Sequence, residues 1–273
     1  MSPLDESFAA PDSISNLATA QDYCVFQVRK FDFDRYLTVI AAPKEIRMAL
    51  FSLFAFNLEV AKTREVVSEP MLGRIRLQWW REAIEGIYQG NPRQHEVISA
   101  LQETLNHHSL SRYLFDEMID GREFDLEERE PKDIDELISY ADTTSGKLFS
   151  LVGEVTGSNP DFAKLLGTSR ALIGLMRSIS FHKIQGRSYL PGIPVTDHHS
   201  QHAFSAYQNV LAKAAEILPD RSDMNDPVLN ITRWMAQYDL NRLLKKTSED
   251  FEKPAKFNAW RRYRIICACL TGR

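Results

Sequence analysis

The chain has 273 residues, 44% of them hydrophobic, enough to bury a sizeable core in one large helical domain or two small ones. Its formal charge of −4 arises from 37 acidic and 33 basic residues that are interspersed, with no basic block to grip a phosphate backbone, so nucleic acid is excluded as a partner. Three cysteines (Cys24, Cys267 and Cys269) are too few for a disulfide framework and lack a second Cys/His pair at zinc spacing, which leaves reduced core thiols.

Residues 1–16, with Pro3 and Pro11, are acidic and carry neither an apolar signal core nor an arginine-rich transit pattern. The expectation is a disordered lead over 1–15, a single domain over 16–273, and a cytoplasmic protein from a bacterium. Apolar spacing then predicts a helix over 18–30 and a short one over 32–40, broken at Ala42-Pro43. The next stretch, 44–66, is apolar at nearly every position from Ile46 to Ala61, interrupted only by Arg47, Ser52, Asn57 and Glu59. A helix apolar all round is one surrounded by others, and these polar interruptions come too early for a bilayer span of about 20 apolar residues. It is read as the central post of the fold. Its buried polar groups are the first candidates for a site, since leaving each unpaired costs about 1–3 kcal/mol.

Ser68-Glu69-Pro70 starts the next helix, which ends at Gly90-Asn91-Pro92; Leu72, Ile75, Trp79, Ala83 and Ile87 are assigned to its core face. Trp79-Trp80 reads as core packing plus a rim indole. Helices follow over about 94–106, 110–126, 133–156 and 161–182. A long loop, 183–201, holds two glycines and two prolines, and further helices fall near 202–218, 228–247 and 257–270. No segment has a strand period, and no repeat appears. The class is all-α.

Asp116 and Asp120 have the spacing at which two carboxylates share a divalent ion, but their charged surroundings read as a solvated helix end. His198, His199 and His202 sit in or beside a polar loop without an evident further ligand. The basic stretch Trp260, Arg261, Arg262, Tyr263, Arg264 reads as the rim of a terminal helix, with a peripheral membrane contact as the alternative.

Five stretches in order, APKEIRMALFSLFAFNLE, LQWWREAIEGIY, DELISYA, RALIGLMRS and GRSYLP, with Asp120, Gly121 and Asp125 between the second and third, resemble the squalene/phytoene synthase family over residues 25–218. The resemblance implies an all-α isoprenoid-synthase bundle around a central cavity. It also implies head-to-head condensation of isoprenyl diphosphates, ionised by Mg²⁺ held between two aspartate-rich clusters. Here the first cluster's positions are Ala61, Lys62 and Glu65. The second reads Gly174, Arg177, Ser178 and His182, with Ala171 in place of the usual glutamine. Few carboxylates remain, so no catalytic or metal-ligating residue and no cofactor is assigned, Mg²⁺ being needed only if the chain is active. The candidate cavity and ligand-binding residues are Arg47, Asn57, Glu59, Arg177, Arg187 and Tyr189. Lys62 is placed to pair with Glu65 or Glu59.

Within the family the pattern Phe54, Ala55, Phe56, Asn57, Glu59, Ala61, then Ser68-Glu69, Arg76, Gln78, Trp79, Trp80 and Gly90-Asn91-Pro92, resembles a branch associated with biogenesis of respiratory complex I. Three functions follow as expectations. The first is a pseudoenzyme that binds complex I subunits or assembly factors, cytoplasmic and peripheral at the inner membrane. The second is a working prenyltransferase. The third is a protein that carries an isoprenoid or lipid ligand in the inherited cavity.

Overall fold

The computed structural model describes residues 19–220 and 226–254, and among them every regular element is helical. The α-helices are α1 (Ala20–Phe31), α2 (Phe33–Ala41), α3 (Lys44–Ala61), α4 (Thr63–Val66), α5 (Pro70–Tyr88), α6 (Glu96–His107), α7 (Arg112–Gly121), α8 (Ile134–Ala141), α9 (Lys147–Thr156), α10 (Pro160–Arg177), α11 (Ile179–Ile184), α12 (Gln201–Ile217) and α13 (Pro227–Leu243). The expected lead over 1–15, the helix near 257–270, Cys267, Cys269 and the stretch from Trp260 to Arg264 lie outside the described residues.

α3 is the central post. Leu50, Phe51, Leu53, Phe54, Ala55 and Phe56 are fully enclosed, α3 packing on α1, α2, α6 and α9, with Trp80 of α5 and Phe115 of α7 against Phe56. Each buried polar side chain on it has a partner. Ser52 Oγ lies 2.8 Å from Thr104 Oγ1 on α6 and donates to the Ala49 carbonyl, so neither of these two hydroxyls is stranded. The helix stops at Ala61, where the apolar run ends, and Lys62 turns the chain into the single turn of α4, which completes the 44–66 stretch.

Most start and stop signals in the sequence act as written, although α5 begins at Pro70 behind Glu69 with no side-chain cap from Ser68. Thr19 and Asp22 form a reciprocal capping box on α1, Asn159 caps α10 ahead of Pro160, and Asp226 caps α13 ahead of Pro227. Gly157, with φ of 71°, closes α9 in the left-handed region that other residues avoid. The helix expected over 133–156 is a single rod made of α8, a π-helical turn (Asp142–Gly146) and α9. That turn is pressed onto α10 where Gly167 offers no side chain; a Cβ there would meet the Ser145 carbonyl and lie 2.8 Å from Phe149 Cβ.

The core face of α5 differs from the expected one. Leu72 and Ile75 are exposed, whereas Gly73, Leu77, Trp80, Ala83, Ile84 and Ile87 face inward. Trp80 is the core indole, and Trp79 stacks edge-on against it, half-buried beneath Arg93. The apolar residues of the first turns imitate a core stripe but overhang the end of the body.

Two large hydrophobic cores result, with a small third one of Leu37, Ile231 and Met235 between α2 and α13. One is built on α1, α3, α5, α6, α7 and α9, the other on α8, α10, α12 and α13 with Tyr189, Leu190 and Phe251. Helices of both line the space between them.

Candidate functional site

Two adjoining cavities occupy that space. The inner one, about 260 Å³, is walled by Asn57 of α3, Phe149 of α9, Gly174, Arg177 and Ser178 at the end of α10, and Thr232 of α13. The outer one, about 590 Å³, lies between residues 61–67 on one side and α11 with Arg187 and Tyr189 on the other. Arg122, Tyr140, Leu175 and His182 form walls of both. The two stretches that correspond to the family's aspartate clusters therefore do face a cavity from opposite sides. Ala61 and Glu65 line the outer one, Ser178 lines the inner one, and His182 separates them.

At the junction sits a buried carboxylate, Asp125, in the 3-10 turn Arg122–Leu126. Its Oδ1 accepts from Tyr140 Oη and Tyr189 Oη, each at 2.8 Å, and its Oδ2 accepts from Arg122 Nη1 at 3.2 Å. Arg187 Nη2 donates to its backbone carbonyl. Arg122 also donates to Tyr140 Oη at 3.0 Å and to Asn57 Oδ1 at 3.3 Å, joining α3 to the opposite wall. Burial works against the Arg122 charge, but Tyr140 and Asp125 outweigh it and hold the guanidinium above its ordinary pKa. Burial, followed by Tyr140 and Asp125, pushes the Tyr189 hydroxyl well above its usual range, so it stays a donor.

A second ion-pair group borders the inner cavity through Arg170 and Arg177. Asp34 accepts from Arg170 at 3.3 Å and from Arg177 at 3.2 Å, and Arg177 also reaches buried Asp239 at 2.8 Å. Arg35, at 3.1 Å from Asp32, completes a wall rich in guanidinium groups. Ser145 Oγ, in the π-helical turn, is buried in the inner cavity's wall with no hydrogen-bond partner.

Of the residues expected to line a cavity, Asn57, Arg177, Arg187 and Tyr189 line these two, while Glu59 and Arg47 line neither. Glu59 points toward α1 and α5. It accepts from Arg76 at 3.1 Å, Lys62 at 3.3 Å and Tyr23 at 3.2 Å, so the expected Lys62–Glu59 pair forms, with Gln27 as a further partner of Lys62. This candidate cavity residue is held by ion pairs and a tyrosine hydroxyl on another face of α3. Arg47 Nε donates to the Ala42 carbonyl at 2.8 Å, closing the bend before α3. Asp120 pairs with Arg81 and Asp116 with Arg112, a solvated helix end as its surroundings implied.

Arg122, Tyr140, Arg35 and Arg170 are not candidates from the sequence, and Asp125 enters there as part of the family pattern and not as a site residue. Asp125 stands in GREFDLEERE, where every neighbouring charge suggests solvent, and its place in the family pattern with Asp120 and Gly121 is the signal that marks it. His198 likewise looked solvated but is fully buried, with Nε2 at 2.7 Å from Ser188 Oγ and Nδ1 at 3.2 Å from Glu252. Glu252 also binds Lys183 at 2.8 Å and lies 3.3 Å from His199. This latch ties the loop carrying Arg187 and Tyr189 to the turn after α13.

Among the described residues no group of three or more His, Cys, Asp or Glu side chains is placed to hold a metal ion. Mg²⁺ needs carboxylates free to enter its shell. Asp32 caps α2 and pairs with Arg35, Asp125 is engaged by two tyrosines and two arginines, and Glu65 stands exposed at the outer rim. These donors do not fit a magnesium cluster.

His182 gives the site a pH signature. Burial, then the Arg187 charge, lowers its pKa to about 4 from 6.5. The unfolded chain takes up a proton below pH 6.5 that the folded chain refuses, so stability present above that pH is lost as pH falls toward 4. His182→Gln is expected to flatten this loss by about 1–3 kcal/mol relative to the parent. Urea titrations across that range check it, and an unchanged slope contradicts the assignment.

The family model for squalene/phytoene synthase matches residues 28–214. Complex I assembly factor 6 of Bos taurus is 31% identical over 173 residues, covering 62% of this chain and 52% of that protein. The phytoene synthase of Mycobacterium bovis is 24% identical over 195 residues, covering 70% and 59%. The chain thus spans about half the length of the curated relatives it matches. A crystal structure of a dehydrosqualene synthase in complex with ligand superimposes with a TM-score of 0.73 at 16% identity, covering 93% of this chain and 96% of that one, which establishes a shared fold.

Proposed function

The chain belongs to the squalene/phytoene synthase family, and from that premise we propose that it is a non-catalytic member, acting by binding in the assembly of respiratory complex I. The observation that carries this reading is the chemistry of the two facing walls. Ala61 and Glu65 on one side and Ser178 and His182 on the other present a single carboxylate to the cavities, and Lys62 is turned to Glu59. Walls that cannot gather magnesium cannot ionise an allylic diphosphate by the family's route. Similarity to complex I assembly factor 6 supports the choice of partner, which would be complex I subunits or other assembly factors. A cytoplasmic placement, peripheral at the inner membrane, goes with it.

Deleting the gene is expected to lower NADH:ubiquinone oxidoreductase activity in isolated membranes and leave the isoprenoid profile unchanged. Normal activity in the deletion strain overturns the assembly role. Purified protein given geranylgeranyl diphosphate and Mg²⁺ is expected to release no diphosphate above buffer; release returns the chain to the catalysts.

A second reading has its own support. The partnerless Ser145 hydroxyl and the guanidinium-rich inner wall suit an isoprenoid or other lipid with an anionic head. Native mass spectrometry of protein taken directly from cells is then expected to show one bound amphiphile, and an apo spectrum contradicts it.

A further inference from the structure

Arg177 also lines a third cavity, of about 440 Å³, formed where α13 ends and the chain turns over residues 244–254. Its wall carries four further cations, Arg242, Lys245, Lys246 and Lys253, and two carboxylates, Asp239 and Asp250. Both carboxylates are already engaged. Asp239 accepts from Arg177 at 2.8 Å, and Asp250 Oδ1 accepts from the Thr247 backbone N–H at 2.7 Å. The neighbouring Glu252 is taken by Lys183 at 2.8 Å. Among the described residues no carboxylate pairs with Lys245 or Lys253, and the sequence after Pro254 adds five basic side chains and no acidic one. The crowding is built into the turn. Lys246 Nζ donates to the Phe251 carbonyl at 2.9 Å and to the Lys253 carbonyl at 2.8 Å, which fixes Lys253 beside it. Burial lowers the Lys246 pKa; Asp250 opposes this, while the charges of Arg242 and Lys253 add to it. A cation at a helix C-terminus complements the dipole, and Arg242 does so in the last turn of α13, but that field fades within a turn and does not call for Lys253. Like charges gathered in one concavity work against the fold until an anion neutralises them.

We propose that this third cavity binds a small, multiply charged phosphoryl compound, at a site separate from the two chambers between the facing walls. Lysine ammonium groups act on phosphate as point charges, and here they come from both ends of one short turn. The excess of cations over carboxylates favours a polyanion over a singly charged ligand. The size is that of a small-molecule pocket. Arg177 is a wall of both this cavity and the inner one, so the bound anion lies beside the ion pair that borders the inner chamber. The site goes beyond the assembly role and does not rest on it, and its readout is direct binding, not complex I activity.

The test is isothermal titration of the full-length protein with tripolyphosphate, and separately with inorganic phosphate, in magnesium-free buffer. One tripolyphosphate per chain is expected, bound about tenfold or more tightly than phosphate. Lys245→Glu and Lys253→Glu, at exposed positions whose side chains hold no partner among the described residues, are each expected to weaken it about tenfold. Lys44→Glu, at an exposed lysine that starts α3 away from the cavity, serves as the control and is expected to bind like the parent. Thermal melts by circular dichroism confirm that the variants remain folded. Four outcomes overturn the proposal. In one, the parent gives no heat of binding. In another, phosphate binds as tightly as tripolyphosphate. In the third, Lys44→Glu loses as much affinity as the cavity variants, which reduces the effect to overall charge. In the fourth, Arg170→Gln abolishes binding while both cavity variants retain it, which moves the anion to the inner chamber.

Discussion

Asp125→Ala is expected to lower the unfolding free energy by about 3–5 kcal/mol, the usual consequence of removing one partner of a buried ion pair. Asp125 is the shared acceptor for Tyr140, Tyr189 and Arg122, and its own backbone carbonyl receives Arg187. Removing the carboxylate strands a buried guanidinium and deprives two buried hydroxyls of their acceptor at the same moment. Asp125→Asn separates these effects, because the amide keeps an acceptor oxygen for the tyrosines but leaves the Arg122 charge uncompensated. A loss for the asparagine variant close to that for alanine assigns the effect to charge; a loss near 1 kcal/mol assigns it to the hydroxyls. Urea titrations decide this, read as a shift in midpoint at constant slope. An Asp125→Ala protein as stable as its parent would refute the view that this carboxylate organises the cavity.

The second large effect is expected in the central post. Phe56 is fully buried, with its ring edge-on to Trp80 at 5.6 Å and to Phe115 at 5.3 Å. It joins α3, α5 and α7 at one point. Phe56→Ala removes the transfer free energy of the ring and leaves a void that three helices cannot all close, at a cost of about 3–5 kcal/mol. Phe56→Leu keeps most of the volume and is expected to lose less than half as much. Thermal and urea unfolding of the two variants measure the difference, and equal losses would point to the aromatic contacts in place of the void.

How far the sequence could be read depended on what each residue had to reveal locally. The apolar run on α3, the capping residues and the Pro/Gly breaks carry their conformational reasons with them, and they placed the helices to within a few residues. The facing positions Ala61, Glu65, Ser178 and His182 were legible because the family pattern fixes their spacing, and the structure does set them around a cavity. Asp125 was not, because an aspartate among charged neighbours looks solvated until its partners arrive from distant α8 and from the 186–191 loop. Glu59 misled for the converse reason. It sits on the right helix, but its helical phase turns it toward Arg76. Leu72 and Ile75 satisfied the periodicity of a core stripe while facing out, since periodicity reports that one face is apolar and not which surface covers it.

The latch at Glu252 has a consequence for how defects in this protein should be interpreted. The loop bearing Arg187 and Tyr189, besides its bonds to Asp125, is fastened through Ser188, His198 and Lys183 to a residue near the far end of the described chain. A frameshift or stop codon that removes only the segment from Glu252 onward would therefore unmoor a wall formed much earlier in the sequence. Such an allele would resemble a lesion of the cavity itself, although every residue that lines the two chambers up to that point would still be encoded.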